Sequence, residues 1–382
     1  MSKVIFGDVV RRANTKEDRH NTDKIYYVGG EHIESNEVLI ENRGLIEGST
    51  IGPMFYFGFK AGDILFVSRN PHLRKAGMVT FDGICSEKTF VLETKDESVL
   101  MQRYLAFVMQ SDHFWSYMEA HKSGSVNFFI NWSTLEKYEF ELPDIDKQKS
   151  LSDTLWAIND AKLAYRNLIN KTGVLLQSQF IEKFGDVKTN ARKYPVKKIE
   201  EFATLFAGAT PSTKVDAYWN DGTIPWMSSG EVHMGRVTAT EKKITQLGYD
   251  KSSTKMVPIH TVVMALAGQG KTRGTVAVTE IELCTNQSLC AIVTNESVLS
   301  DYLYHNLKNR YEEIRGMCAI AEGRGGLNLK IVGSIPVVVP TIEEQKNFIS
   351  FAKNCDASVS EMNQAITNLS SLTQSILAEN FN

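Results

Sequence analysis

The sequence is short of most features that would place it outside the ordinary globular classes. Its five cysteines (Cys85, Cys284, Cys290, Cys318 and Cys355) are odd in number and form no Cys-x-x-Cys pair. That argues against a disulfide framework or a zinc ribbon and predicts buried free thiols in a reducing compartment. No apolar run reaches the roughly 18 residues of a membrane-spanning helix. The opening stretch, MSKVIFGDVVRRANTKEDRH, carries charges where a secretory leader needs an apolar segment. A cytoplasmic chain without membrane contact is therefore expected. There is no excess of one charge: 42 Lys+Arg against 45 Asp+Glu leave a net charge of −3. Nor is there a His-Glu-x-x-His string, a metal-spaced His/Cys cluster or a Gly-x-Ser-x-Gly elbow, so no metal is expected and catalysis has no visible home.

What is there is ordinary in composition, with 42% apolar and 23% charged residues over 382 positions, enough for two or three domains. It is also repetitive. LPDIDKQKSL around Pro143 returns as VPTIEEQKNF around Pro340, an offset of 197. The same offset pairs Gln148 with Gln345, Gln177 with Gln374 and Phe184 with Phe381; upstream it pairs Gly77 with Gly274, Val79 with Val276 and Asn131 with Asn328. A constant offset over that span predicts two copies of one unit of about 190 residues.

Each copy changes character at its proline. Residues 1–142 and 186–340 carry strand-length apolar runs such as Ile64 to Val67 and Val262 to Leu266, with helical stretches over Val99 to Glu119 and Leu299 to Ile314. They read as mixed α/β globules. Residues 143–185 and 341–382 carry a heptad instead. Spacings of 4 and 3 alternate through Phe348, Ala352, Cys355, Val359, Met362, Ile366, Leu369, Thr373 and Ile376. The first copy keeps the register through Leu151, Leu155, Ile158, Lys162, Tyr165, Ile169, Thr172, Leu176 and Gln179. Such a stripe on a helix of about 57 Å needs a helical partner. The fold expected is therefore α+β: two mixed α/β domains, two long helices in an antiparallel coiled coil, and a pseudo-two-fold internal repeat.

Two strings imitate enzyme motifs. Ala265-Leu-Ala-Gly-Gln-Gly-Lys-Thr272 fits a relaxed phosphate loop, but Arg273-Gly-Thr-Val-Ala-Val278 follows it as a strand, where a phosphate loop must open a helix. Asn70-Pro71-His72-Leu73 approaches an amino-methyltransferase motif, but has His where Pro is wanted and no cofactor loop elsewhere.

The loops that hold these strings are rich in hydrogen-bond donors. The first copy offers Ser68, Arg69, Asn70, His72, Arg74 and Lys75; the second offers Gln269, Lys271, Thr272 and Arg273, with Arg324 and Asn328 in EGRGGLN. Arg and Lys can donate to guanine N7/O6, and Asn or Gln can pair with the adenine edge. Net charge runs −4, +1, +3 and −3 over the four segments, so DNA binding would lean on partner subunits for backbone contacts.

The layout resembles the specificity subunit of type I restriction–modification systems. The residues that carry the resemblance are Pro340-Thr-Ile-Glu-Glu-Gln-Lys346 and its twin Pro143-Asp-Ile-Asp-Lys-Gln-Lys149, with Gly268 to Gly274, Gly325 to Asn328 leading into Ile335-Pro336, and Ile224-Pro-Trp-Met-Ser228, whose Ser228 joins the DNA-facing candidates. The first copy departs from the pattern at Lys147 and at Ile25-Tyr-Tyr-Val28. The resemblance implies a non-catalytic subunit that reads a bipartite, asymmetric site in double-stranded DNA through two target-recognition domains. It also implies two methyltransferase subunits and restriction/translocase subunits as partners. S-adenosylmethionine, ATP and Mg would belong to those partners, with no cofactor in this chain. Two other readings stay open: a bifunctional restriction–methylation enzyme, and an adaptor whose globules bind protein.

Overall fold

The computed structural model describes residues 2–268, 270–317 and 326–381, so Gln269, Arg324 and Cys318 lie outside the described residues. The chain divides into two compact units, Met1–Leu168 with Met362–Asn382, and Ile169–Glu361. Each unit holds one globule and one end of each long helix.

The first unit builds a five-stranded sheet in the order Val10–Ala13, Thr89–Thr94, Ile64–Val67, Ala76–Val79, Leu39–Ile40, and a four-stranded sheet in the order Gly44–Leu45, Tyr26–Val28, Gly83–Ser86, Phe55–Phe59. The second unit repeats the larger sheet with Ala203–Ala207, Leu289–Thr294, Val262–Ala265, Val276–Thr279, Arg236–Val237. It repeats the smaller with Lys242–Ile244, Ile224–Met227, Leu283–Thr285, Met256–Val257. Central strands Ile64–Val67 and Val262–Ala265 are buried at every position. Continuous apolar runs of this kind suit strands covered on both faces.

The repeat is real, but its offset is not constant. Ile64 pairs with Met78 and Leu92, while Val262 pairs with Val278 and Ile292. Met78 therefore corresponds to Val278, not to Thr275. The equivalences Gly77/Gly274 and Val79/Val276 expected from an ungapped offset of 197 are corrected to Gly77/Ala277 and Val79/Thr279. The cause is the hairpin loop, which spans 68–75 in the first unit and 266–275 in the second, two residues longer. The helical stretches also differ from expectation. Each is broken in two, Gln102–Val108 with Asp112–Ala120, and Ser300–Asn309 with Tyr311–Gly316. In the first pair the Ser111 hydroxyl accepts the Phe114 amide at 3.2 Å and starts a new helix.

The long helices are Ile145–Phe184 and Ile342–Asn380. Every heptad position named above is buried or half-buried in both, while intervening residues such as Asp153, Asp160, Lys353 and Glu361 are exposed. Half-burial along the middle of the stripe is what a two-helix seam produces, since neither flank is covered. Within the first unit, Leu155 and Trp156 near the start of the first helix share a core with Leu377 and Phe381 at the end of the chain, with Leu151 and Ile376 packed alongside. In the second unit Phe180 and Phe184, from the end of the first helix, meet Phe348 near the start of the second at 5.1 and 5.6 Å between ring centroids. The pairing is antiparallel in each. Burying one such ring contributes about 2–3 kcal/mol.

The twin glutamines fasten each helix start to its globule. Gln148 accepts the Met101 amide at 3.0 Å and donates to the Val99 and Pro143 carbonyls at 2.9 and 3.0 Å. Both glutamines are almost completely buried, at 1% and 0% exposure. The Pro-x-x-x-x-Gln string is thus a structural clamp.

Candidate nucleic-acid interface

The hairpin loops that carried the donor-rich strings project from the larger sheet of each unit. In the first unit the loop is held open by left-handed backbone at Asn70 and Arg74, with φ of 52° and 49°, a conformation Asn tolerates and Arg adopts only under constraint. The constraint comes from a second segment, Ser123–Ile130. The Phe128 carbonyl accepts the Asn70 amide at 2.9 Å, and the Ile130 amide donates to the Ser68 carbonyl at 2.8 Å. Arg69 lies with its guanidinium 5.4 Å from the Phe129 ring centroid. The tip of this second segment, Gly124 to Asn127, is exposed, with Val126 at 83%.

The predicted DNA-facing residues of this loop divide by how far they are committed inward. Ser68 is buried and its hydroxyl donates to the Lys88 carbonyl at 2.7 Å, so the expectation that it faces DNA is corrected: it braces the hairpin. Lys75 donates to the Gly30 carbonyl at 2.6 Å, and Arg74 pairs with Asp112 at 2.6 Å. Arg69 and Asn70 are half-buried and His72 is exposed. Lys122, which sequence reasoning passed over, stands beside the second segment with its ammonium 4.3 Å from the Phe128 ring centroid.

The second unit repeats the arrangement with other side chains. The Leu327 amide donates to the Leu266 carbonyl at 2.9 Å, the counterpart of the Ile130–Ser68 bond. The antiparallel pairing of Val262–Ala265 with Val276–Thr279 confirms a hairpin rather than a phosphate loop opening a helix. Lys271 is exposed, Arg273 and Thr272 are half-buried. The Thr272 hydroxyl lies 3.1 Å from His233 Nε2, and the Tyr311 hydroxyl donates to the Lys271 carbonyl at 2.9 Å while accepting from Arg315 at 2.8 Å. His233, Tyr311 and Arg315 thus join the loop although no string marked them. Their positions are 38 or more residues from Lys271 along the chain, and only the fold brings them together. Ser228 sits at the mouth of the 3-10 turn Ser229–Met234, its amide donating to Glu231 at 2.6 Å. Asn328 caps the helix Leu329–Gly333 by accepting the Ile331 amide at 2.9 Å, whereas Asn131 takes the same place before Trp132–Leu135 without a side-chain cap bond.

Among the described residues no group of three or more His, Cys, Asp or Glu could hold a metal ion. Burial pushes the Cys85 and Cys290 thiols up to about 12, far from a thiolate nucleophile. No described helix is long and apolar enough to cross a membrane.

Known proteins resemble this chain in part of its sequence and in its architecture. Residues 192–369 match the family model of the type I restriction modification DNA specificity domain. The chain is 25% identical over 176 residues to the specificity subunit of the type I restriction enzyme EcoR124I/EcoR124II of Escherichia coli, covering 44% of this chain and 43% of that protein. It is 28% identical over 169 residues to the MjaIX specificity subunit of Methanocaldococcus jannaschii, covering 42% and 37%. The matched stretch thus spans less than half the length of either relative. The fold matches over nearly the whole chain. The crystal structure of a type I restriction–modification S subunit from M. genitalium superposes with a TM-score of 0.60 at 14% identity, covering 98% of this chain and 94% of that one. A chain from a structural study of complex assembly and conformational transition in the type I R-M system gives 0.61 at 16% identity, covering 100% and 97%. Residues 192–369, a little under half of the chain, thus resemble the type I restriction modification DNA specificity domain, and the fold matches that of the solved type I S subunit.

Proposed function

We propose that this chain is the non-catalytic DNA-recognition subunit of a type I restriction–modification complex, reading a bipartite, asymmetric site in double-stranded DNA. Each globule reads one half-site through its hairpin loop, 68–75 or 266–275, and the segment beside it. Two methyltransferase subunits and restriction/translocase subunits complete the complex; they hold the S-adenosylmethionine, ATP and Mg, and the assembly works in the cytoplasm. The observation that carries this reading is the pair of unlike loops on like hairpins. The second is two residues longer and exchanges Arg69, Asn70 and His72 for Lys271, Thr272 and Arg273. Identical scaffolds with different donors read different bases, because direct readout depends on which donors meet which base edges. Single-molecule methylome sequencing of a strain expressing the chain with its cognate methyltransferase tests this. A methylated motif of two unlike halves around an unspecified spacer is expected; a palindrome, or a single uninterrupted motif, would overturn it.

A further inference from the structure

The first hairpin loop offers less to a base edge than its composition suggests. Of its donors, Ser68, Arg74 and Lys75 are spent inside the protein, on the Lys88 carbonyl, Asp112 and the Gly30 carbonyl. What stands clear beside them is apolar. Val126, at the tip of the neighbouring segment Ser123–Ile130, is 83% exposed, more than any other large aliphatic side chain among the described residues. The tip is fixed by its own bonds. Ser123 and Phe129 exchange both backbone hydrogen bonds, at 2.8 and 2.9 Å, and the Phe128 carbonyl accepts the Asn70 amide at 2.9 Å. Between them Gly124 takes a φ of 99°, and a Cβ there would come within 2.6 Å of the Asn127 carbonyl oxygen, so the turn closes tightly. Two cations flank the tip: Lys122 lies 4.3 Å from the Phe128 ring centroid and Arg69 5.4 Å from that of Phe129.

An apolar side chain on a braced turn between two cations suits one kind of contact in a DNA groove. Among the four unmodified bases, only thymine presents an apolar group in the major groove, its C5-methyl; the rest of every base edge is donor or acceptor. A valine is branched at Cβ and stiff at χ1, so it loses little freedom when it is covered. Removing one methyl and its contact from water is worth roughly three- to tenfold in affinity. Cations on either side serve the phosphates, which position a reader without themselves carrying sequence information.

We propose that Val126 is a specificity-determining residue that reads a thymine of one half-site by packing against its C5-methyl group. This rests on the DNA-recognition reading and names the base that one side chain selects. The test is competition titration, at one salt concentration, of the full chain in complex with its cognate methyltransferase. The duplexes carry the methylated motif with each thymine, on either strand, replaced in turn by deoxyuridine, which lacks only the methyl. One replacement should weaken the wild-type complex roughly three- to tenfold. Val126→Ser should bind that duplex and its thymine parent equally, while Val126→Ile should keep the preference. Replacements in the other half should cost the wild type and Val126→Ser the same. Because the side chain is exposed, Val126→Ser should leave the unfolding midpoint of the free chain unchanged. If no replacement has a cost that disappears in Val126→Ser, or if Val126→Ser weakens every duplex alike, the methyl contact is overturned. A wild-type complex with no preference for its motif over a scrambled duplex would instead sink the recognition reading, and this proposal with it.

Discussion

Gln345 reaches across 46 residues to Leu299, accepting its amide at 2.8 Å while donating to the Ser297 and Pro340 carbonyls at 3.1 and 2.9 Å. Gln148 makes the same three bonds to Met101, Val99 and Pro143. A side-chain amide that satisfies one donor and two acceptors in a fully buried place cannot be replaced by a charge or an alkyl group without leaving backbone groups unpaired. Gln345→Ala should therefore cost about 2–4 kcal/mol, and Gln345→Glu at least as much at neutral pH, since a carboxylate would face two carbonyls. Chemical denaturation of each variant measures it. A loss below about 1 kcal/mol for both would mean that the clamp is dispensable.

The second hairpin loop should matter for binding in a way that other basic stretches do not. Lys242 stands 5.9 Å from the Trp219 ring centroid, in a groove that also holds Lys243, Asp216 and Glu241. Lys271→Ala and Arg273→Ala should weaken binding to the true site more than Lys242→Ala or Lys243→Ala. For Arg273 the loss should be about 1–3 kcal/mol, the worth of one bidentate contact to guanine. The measurement is titration of the true site and a scrambled duplex at one stated salt concentration. An equal loss on both duplexes would reassign Arg273 to the phosphate backbone.

Acid should weaken the second unit through His305. Its ring is 3% exposed, and Nε2 has no hydrogen-bond partner among the described residues. Burial, helped by Lys308 and Arg236 and opposed by Asp301, lowers its pKa to about 4. The folded chain keeps the imidazole neutral where the unfolded chain, near 6.5, takes up a proton. Its contribution is thus fully present above pH 6.5 and is lost as pH falls toward 4, at most about 3 kcal/mol. Asp63 in the first unit acts in the opposite sense, since burial raises it to about 6. Its effect is common to wild type and a His305→Leu variant and cancels between them. The gap in melting temperature between the two proteins should narrow from pH 7 to pH 5; a gap independent of pH would remove His305 as the titrating group.

The architecture was legible because its signals are local and repeat. Heptad spacing put Leu155, Ile158, Phe348 and Ala352 on one stripe, and all four are buried. The hairpin nature of Leu266 to Thr275 followed from Gly274 and the alternating residues after it. What sequence could not carry was the drift in offset, since an ungapped match is satisfied by Gly77/Gly274 although the ladder pairs Leu65 with Gly77 and Val263 with Ala277. The loop surroundings were equally hidden. Phe129 beside Arg69, His233 beside Thr272 and Tyr311 beside Lys271 are contacts between distant segments, without periodicity or motif to announce them. Ser68 looked like a DNA-facing donor because composition cannot tell a hydroxyl aimed at solvent from one aimed at a carbonyl.

The central claim is that each globule reads its own half-site. Replacing residues 186–340 with the corresponding globule of a type I specificity subunit, then sequencing the methylome of a strain expressing the hybrid with the cognate methyltransferase, tests it most directly. The account predicts a motif in which one half changes and the other half is kept. Loss of both halves together, or a motif unchanged in both, would contradict it.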